Sequence, residues 1–83
     1  MAFINDVDMM LTPKEFSLLL IFIKNEGRVL SAEYIYGNIW NQQLENNNIS
    51  TLKKTISNLR KKIEPSGYTI DASYRKGYVF ERI

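Results

Sequence analysis

Between Asn48 and Glu64 the chain reads NISTLKKTISNLRKKIE, and this stretch narrows the possible folds more than any other. Ile49, Leu52, Ile56, Leu59 and Ile63 recur at steps of three, four, three and four, the repeat that lines apolar side chains along one side of an α-helix. At about 100° per residue the opposite side holds Ser50, Lys54, Ser57, Asn58 and Lys61, with Thr51, Lys53, Arg60 and Lys62 on the flanks. No carboxylate lies between Asn46 and Ile63 to neutralise them. A helix of roughly 25 Å built this way can seat on a core while its far side lies in a groove. Ser, Thr, Asn and Lys hydrogen-bond phosphates and base edges, and a major groove about 12 Å wide admits a helix, so the pattern points to DNA. A Lys-rich outer face also serves plain solubility, and the rest of the chain must distinguish the two.

Residues 1 to 45 hold three basic and six acidic side chains, a balance of −3, whereas residues 46 to 83 hold eight basic and three acidic, a balance of +5. A domain with its positive charge gathered in one half suits a polyanion. An anionic membrane surface fits less well, because the apolar stripe is needed for the core and the helix lacks bulky aromatics.

Eighty-three residues suffice for one domain with a single modest core, and 45% hydrophobic with 24% charged residues marks the chain as globular. Cys and His are absent, which removes disulfides, thiolate zinc sites, imidazole acid–base chemistry and thiol nucleophiles. The carboxylates are scattered over caps and surfaces, without a pair suited to acid–base work. We therefore expect no enzyme, cofactor, metal or small-molecule substrate. No apolar run approaches the roughly 18 residues of a membrane span, and the start lacks the features of a signal peptide, so a cytoplasmic location is expected.

In chain order, residues 1–11 suggest a short strand over Val7, Met9 and Leu11, with Phe3-Ile4 as a possible hairpin partner. A first helix over 12–26 is marked by Thr12 as N-cap, Pro13 in the first turn and Glu15 completing a capping box. Its inward face is expected from Phe16, Leu19, Leu20 and Ile23, widened by Leu18 and Phe22, and Gly27 suits the left-handed residue beyond its end. Arg28-Val29-Leu30 reads as an extended connector. A second helix over 31–40 is capped by Ser31, with Tyr34, Ile35, Ile39 and Trp40 turned inward. The polar run 41–47 is a loop leading to the basic helix over 48–64, which Pro65 ends. Tyr68 to Ser73 and Tyr78 to Arg82 read as two strands of a hairpin over 68–82, turning at Tyr74-Arg75-Lys76-Gly77, with Gly77 supplying a positive φ.

Helix, helix, loop, basic helix and a hairpin with a basic tip is the order of an α+β winged helix-turn-helix, here one domain of three helices with a short N-terminal strand or hairpin and a C-terminal hairpin wing. The expected DNA-binding residues are Ser50, Thr51, Lys53, Lys54, Ser57, Asn58, Arg60 and Lys61 on the helix and Tyr74, Arg75 and Lys76 on the wing. The helix would enter the major groove and the tip would reach phosphates or the neighbouring minor groove. A winged-helix module that binds protein instead of DNA is the alternative.

The runs Leu11-Thr12-Pro13-Lys14-Glu15-Phe16, Gly27-Arg28-Val29-Leu30-Ser31, Ile39-Trp40, Ile56-Ser57-Asn58-Leu59-Arg60-Lys61-Lys62-Ile63 and Gly77-Tyr78-Val79-Phe80 resemble the OmpR/PhoB-type winged-helix effector domain of bacterial response regulators. The resemblance covers about residues 11 to 80. It implies transcription regulation within a two-component system by binding promoter DNA, commonly as a head-to-tail dimer on direct repeats. It also implies that loop 41–47 occupies the place where such domains touch RNA polymerase. By position, Thr51, Lys54 and Asn58 fall where the family reads bases, and Ser50, Ser57 and Arg60 where it holds backbone or adjacent bases. A membrane-tethered regulator with the same domain on its cytoplasmic side is an equally compatible parent. The chain departs from the family at Lys53 and Lys54, where an acidic and an apolar residue are frequent. In the wing, Tyr74-Arg75 replaces a frequent Arg-Gly pair. Finally, the family usually begins with a four-stranded sheet and only ten residues precede Leu11 here, so the sheet is either reduced to a hairpin or trimmed.

Overall fold

The computed structural model describes residues 3–4, 7–8, 10–45, 47–72 and 77–83. Near the N-terminus β1 (Phe3–Ile4) and β2 (Val7–Asp8) pair antiparallel, Phe3 opposite Asp8 and Ile4 opposite Val7. Three helices follow: α1 (Pro13–Lys24), α2 (Ala32–Trp40) and α3 (Ile49–Ile63). Three further strands, β3 (Val29–Ser31), β4 (Tyr68–Asp71) and β5 (Gly77–Arg82), form an antiparallel sheet in the order β3-β5-β4. The architecture is the α+β winged helix, with β4 and β5 as the arms of the wing.

Local chemistry sets the ends of these elements. The Thr12 hydroxyl accepts from the Glu15 amide at 3.2 Å while the Glu15 carboxylate accepts from the Thr12 amide at 3.0 Å, so two donors at the head of α1 are satisfied reciprocally. Beyond α1, Gly27 takes φ +82° and donates its amide to the Phe80 carbonyl at 2.9 Å, tying the turn to β5. The Ser31 hydroxyl accepts from the Tyr34 amide to start α2. At the end of α3, Pro65 sits within a single 3-10 turn (Glu64–Ser66), and Gly67 at φ +86° redirects the chain into β4.

The segment expected to be a mere connector is β3. Val29, Leu30 and Ser31 pair with Val79, Tyr78 and Gly77, which makes β5 the central strand and welds the root of the wing to the turn before α2. Gly77 lies inside β5 and does not have the positive φ expected of it. Its requirement is space: a Cβ there would lie 2.2 Å from the Leu30 carbonyl oxygen.

The core lies where α1, α2 and α3 meet the sheet, around the fully buried Leu18, Phe22, Ile35, Leu52, Leu59, Ile63, Ile70 and Phe80. Two inward faces differ from the sequence expectation. On α1 the buried arc is Glu15, Leu18, Leu19 and Phe22, while Phe16, Leu20 and Ile23 are exposed. On α2, Tyr34 is exposed, and Tyr36 is buried and stacked on Trp40 with ring centroids 4.6 Å apart. Both helices carry more apolar residues than one arc can bury, so periodicity permits several rotations and packing selects one. The selected rotation of α1 turns a carboxylate inward, which hydrophobicity alone would not choose.

Candidate nucleic-acid interface

On α3 the sequence stripe is the buried one: Leu52, Ile56, Leu59 and Ile63 are each at most 2% exposed. With that face fixed, Ser50, Thr51, Lys53, Lys54, Asn58, Arg60 and Lys61 are exposed and Ser57 is half-buried. The Thr55 hydroxyl is turned back along the helix, donating to the Thr51 carbonyl at 2.8 Å. Lys53, Lys54 and Lys61 form no ion pair among the described residues, so their charge faces solvent uncompensated. Tyr74, Arg75 and Lys76 lie outside the described residues.

Two flank cations are engaged within the fold, which the sequence did not reveal. Arg60 donates from Nη1 to the Ile70 carbonyl of β4 at 3.2 Å, and its charge also acts on Tyr78, whose phenol is pushed up by burial against that attraction. On the other flank Lys62 Nζ lies 2.7 Å from Glu15 Oε1 and donates to the Met10 carbonyl at 3.3 Å. Glu15 is 4% exposed. Burial opposes its ionisation, but the Lys62 and Thr12 hydrogen bonds and the Lys62 charge together hold its carboxyl below the usual range. The capping box places Glu15 on the inward side of α1, one turn before Leu18 and Leu19, but nothing in that motif points to Lys62 as its partner.

The head of α3 is approached through a loop that Asn48 organises. Its side chain accepts from the Glu45 amide at 2.7 Å and donates to the Gln43 carbonyl at 3.3 Å, so it makes no capping bond to the helix. The first turn of α3 contains no acid. Its positive end therefore adds to the lysines on the outer face. At the far side of the loop, Lys14 donates to the Ile39 carbonyl at 2.9 Å and lies 5.4 Å from the centre of the Trp40 ring, pinning α1 to α2.

Residues 6–80 match the family described as Transcriptional regulatory protein, C terminal. The chain belongs to that family. It is an OmpR/PhoB-type effector domain, a member of a family of DNA-binding domains of bacterial transcription regulators. Similar curated proteins include the regulatory protein VanR of Enterococcus faecium, 34% identical over 62 residues covering 75% of this chain and 27% of that protein. The alkaline phosphatase synthesis transcriptional regulatory protein PhoP of Bacillus subtilis is 36% identical over 63 residues, 76% of this chain and 26% of that protein. The regulatory protein VanRB of Enterococcus faecalis is 42% identical over 53 residues, 64% of this chain and 24% of that protein. The chain thus spans about a quarter of the length of these relatives. Among the described residues no helix is long and apolar enough to cross a membrane.

Proposed function

We propose that this effector domain reads double-stranded promoter DNA in the bacterial cytoplasm, with α3 in the major groove and the tip of the wing on the backbone or the adjacent minor groove. The observation that carries this reading is the face of α3 opposite its buried stripe, where three lysines without an ion pair among the described residues stand among hydroxyl and amide groups. Thr51, Lys54 and Asn58 are the base readers: an Asn side chain matches the adenine N6 and N7 edge, and a Lys ammonium matches the guanine acceptors. Ser50, Ser57, Lys53 and Lys61 hold phosphates. Arg60, with one N–H committed to the Ile70 carbonyl, keeps the rest of its fork for a backbone oxygen. Tyr74, Arg75 and Lys76 complete the contact from the wing. Two such domains sit head to tail on repeated half-sites, and loop 41–47 faces RNA polymerase. The domain serves as the output end of a two-component response regulator.

Selection of bound duplexes from a random pool, followed by affinity measurements at two salt concentrations, tests this. A recurring sequence should emerge, and log affinity should fall with log salt at about −0.9 per phosphate neutralised. Affinity that stays flat with salt would replace DNA by a protein partner.

A further inference from the structure

The outer face of α3 can present its readers in register only if the helix is held against rolling about its own axis. The apolar stripe sets which face turns inward, but hydrophobic contact is not directional and leaves the fine angle to other bonds. The two flanks add directional bonds. Arg60 ties one flank to β4, and Lys62, roughly a quarter-turn from the buried stripe, ties the other to α1 through Glu15. The Glu15 carboxylate is a fixed anchor: it is buried, and the same Oε1 that meets Lys62 at 2.7 Å also accepts from the Thr12 amide at 3.0 Å. Lys62 holds a second point as well, the carbonyl of Met10, whose backbone is in the left-handed region at φ +51°.

Resting on the reading that α3 contacts bases, we infer that Lys62 is a positioning residue for DNA recognition: its bond to Glu15 sets the roll of α3 on α1, and it acts on sequence preference without touching DNA. The scale supports this. With a helix radius of about 5 to 6 Å including side chains, a roll of about 20° moves an outer-face tip by about 2 Å. Base-edge hydrogen bonds tolerate only a few tenths of an ångström, whereas lysine-to-phosphate attraction falls off slowly with distance. Loosening the latch should therefore erode preference for the correct duplex and leave general affinity nearly intact. A phosphate-binding lysine would do the opposite.

The test uses the 83-residue chain, a duplex selected from the random pool and a scrambled duplex, with affinities read by fluorescence anisotropy at two salt concentrations and helicity checked by circular dichroism. Lys62→Met should lose about tenfold of the selected-over-scrambled ratio, the scale of one lost base contact, with the salt slope unchanged. Lys62→Arg, which keeps the charged bond, should retain the ratio. The double variant Glu15→Gln with Lys62→Met removes the unpaired buried carboxylate, and so decides the matter if the single variant fails to fold; it should still lose the ratio. Equal weakening on both duplexes with a slope reduced by about one would make Lys62 a phosphate contact and overturn the inference while DNA reading stands. So would an unchanged ratio in Lys62→Met, or a ratio restored in the double variant. A wild-type chain without any preference would remove DNA reading itself, and would show this before a variant is measured.

Discussion

Gly77→Ala should unseat the root of the wing. A Cβ at this position would lie 2.2 Å from the Leu30 carbonyl oxygen, 2.8 Å from its carbon and 3.0 Å from Val29 Cγ1. The first two are backbone atoms of β3, which cannot rotate away as a side-chain tip would. The added methyl must therefore part β5 from β3 where Ser31 faces Gly77 and Leu30 faces Tyr78. Overpacking of this kind costs about 1 to 3 kcal/mol, and a ladder hydrogen bond lost with it adds about 1 kcal/mol. The sum, about 2 to 4 kcal/mol, is a large share of the roughly 4 to 12 kcal/mol that holds a domain of this size together. Urea titration followed by circular dichroism measures it. Gly37→Ala is the contrasting control: it lies within α2 with nothing within 4 Å of its Cβ position among the described residues, so it should gain about 0.5 to 1 kcal/mol from helix propensity. If Gly77→Ala unfolds at the same urea concentration as the wild type, close approach is not why glycine stands there.

Leu59→Ala deletes a side chain with no exposed surface and should cost about 2 to 5 kcal/mol of stability; an unshifted melting temperature would mean α3 faces the other way. Asn58→Ala should leave stability within about 0.5 kcal/mol and weaken binding to the selected duplex by about 1 to 3 kcal/mol, relaxing one base position; uniform weakening on every sequence would remove Asn58 from the readers. Lys61→Ala should reduce the salt slope by about one, and an unchanged slope would exclude it from the phosphate contacts. Because the Glu15 carboxyl is held below its ordinary value of 4.5, the stability it contributes is present above that pH and is lost as pH falls through the lower folded value. Denaturation across pH 2 to 6 should show that acid-side loss in the wild type and a smaller one in Lys62→Met; identical curves would mean the ion pair does not set the shift.

Legibility in the sequence followed how much of each element's chemistry is local. The stripe of α3 could be assigned because its five apolar positions occupy a single arc and everything else on the helix is polar, so only one rotation turns them inward, four of them buried and Ile49 half-buried. The Thr12–Glu15 capping box was legible for a similar reason, since donor and acceptor lie three residues apart. The α1 and α2 faces were not, because Phe16, Leu20 and Ile23 are as apolar as Leu18, Leu19 and Phe22, and Tyr34 is the same residue type as Tyr36, so the choice belongs to neighbouring elements.

The sequence alone therefore determined which face of the basic helix turns inward, and with it which side chains are offered to solvent: a one-sided pattern has one solution. Tertiary structure decided which flank cations remain available. Lys62 and Lys61 are adjacent in the chain and alike in chemistry, yet one is bonded to a glutamate 47 residues away and the other is unpaired among the described residues. The difference comes from packing α1 beside α3, which brings a buried carboxylate within reach of only one of them, and no local pattern records a contact made across the fold.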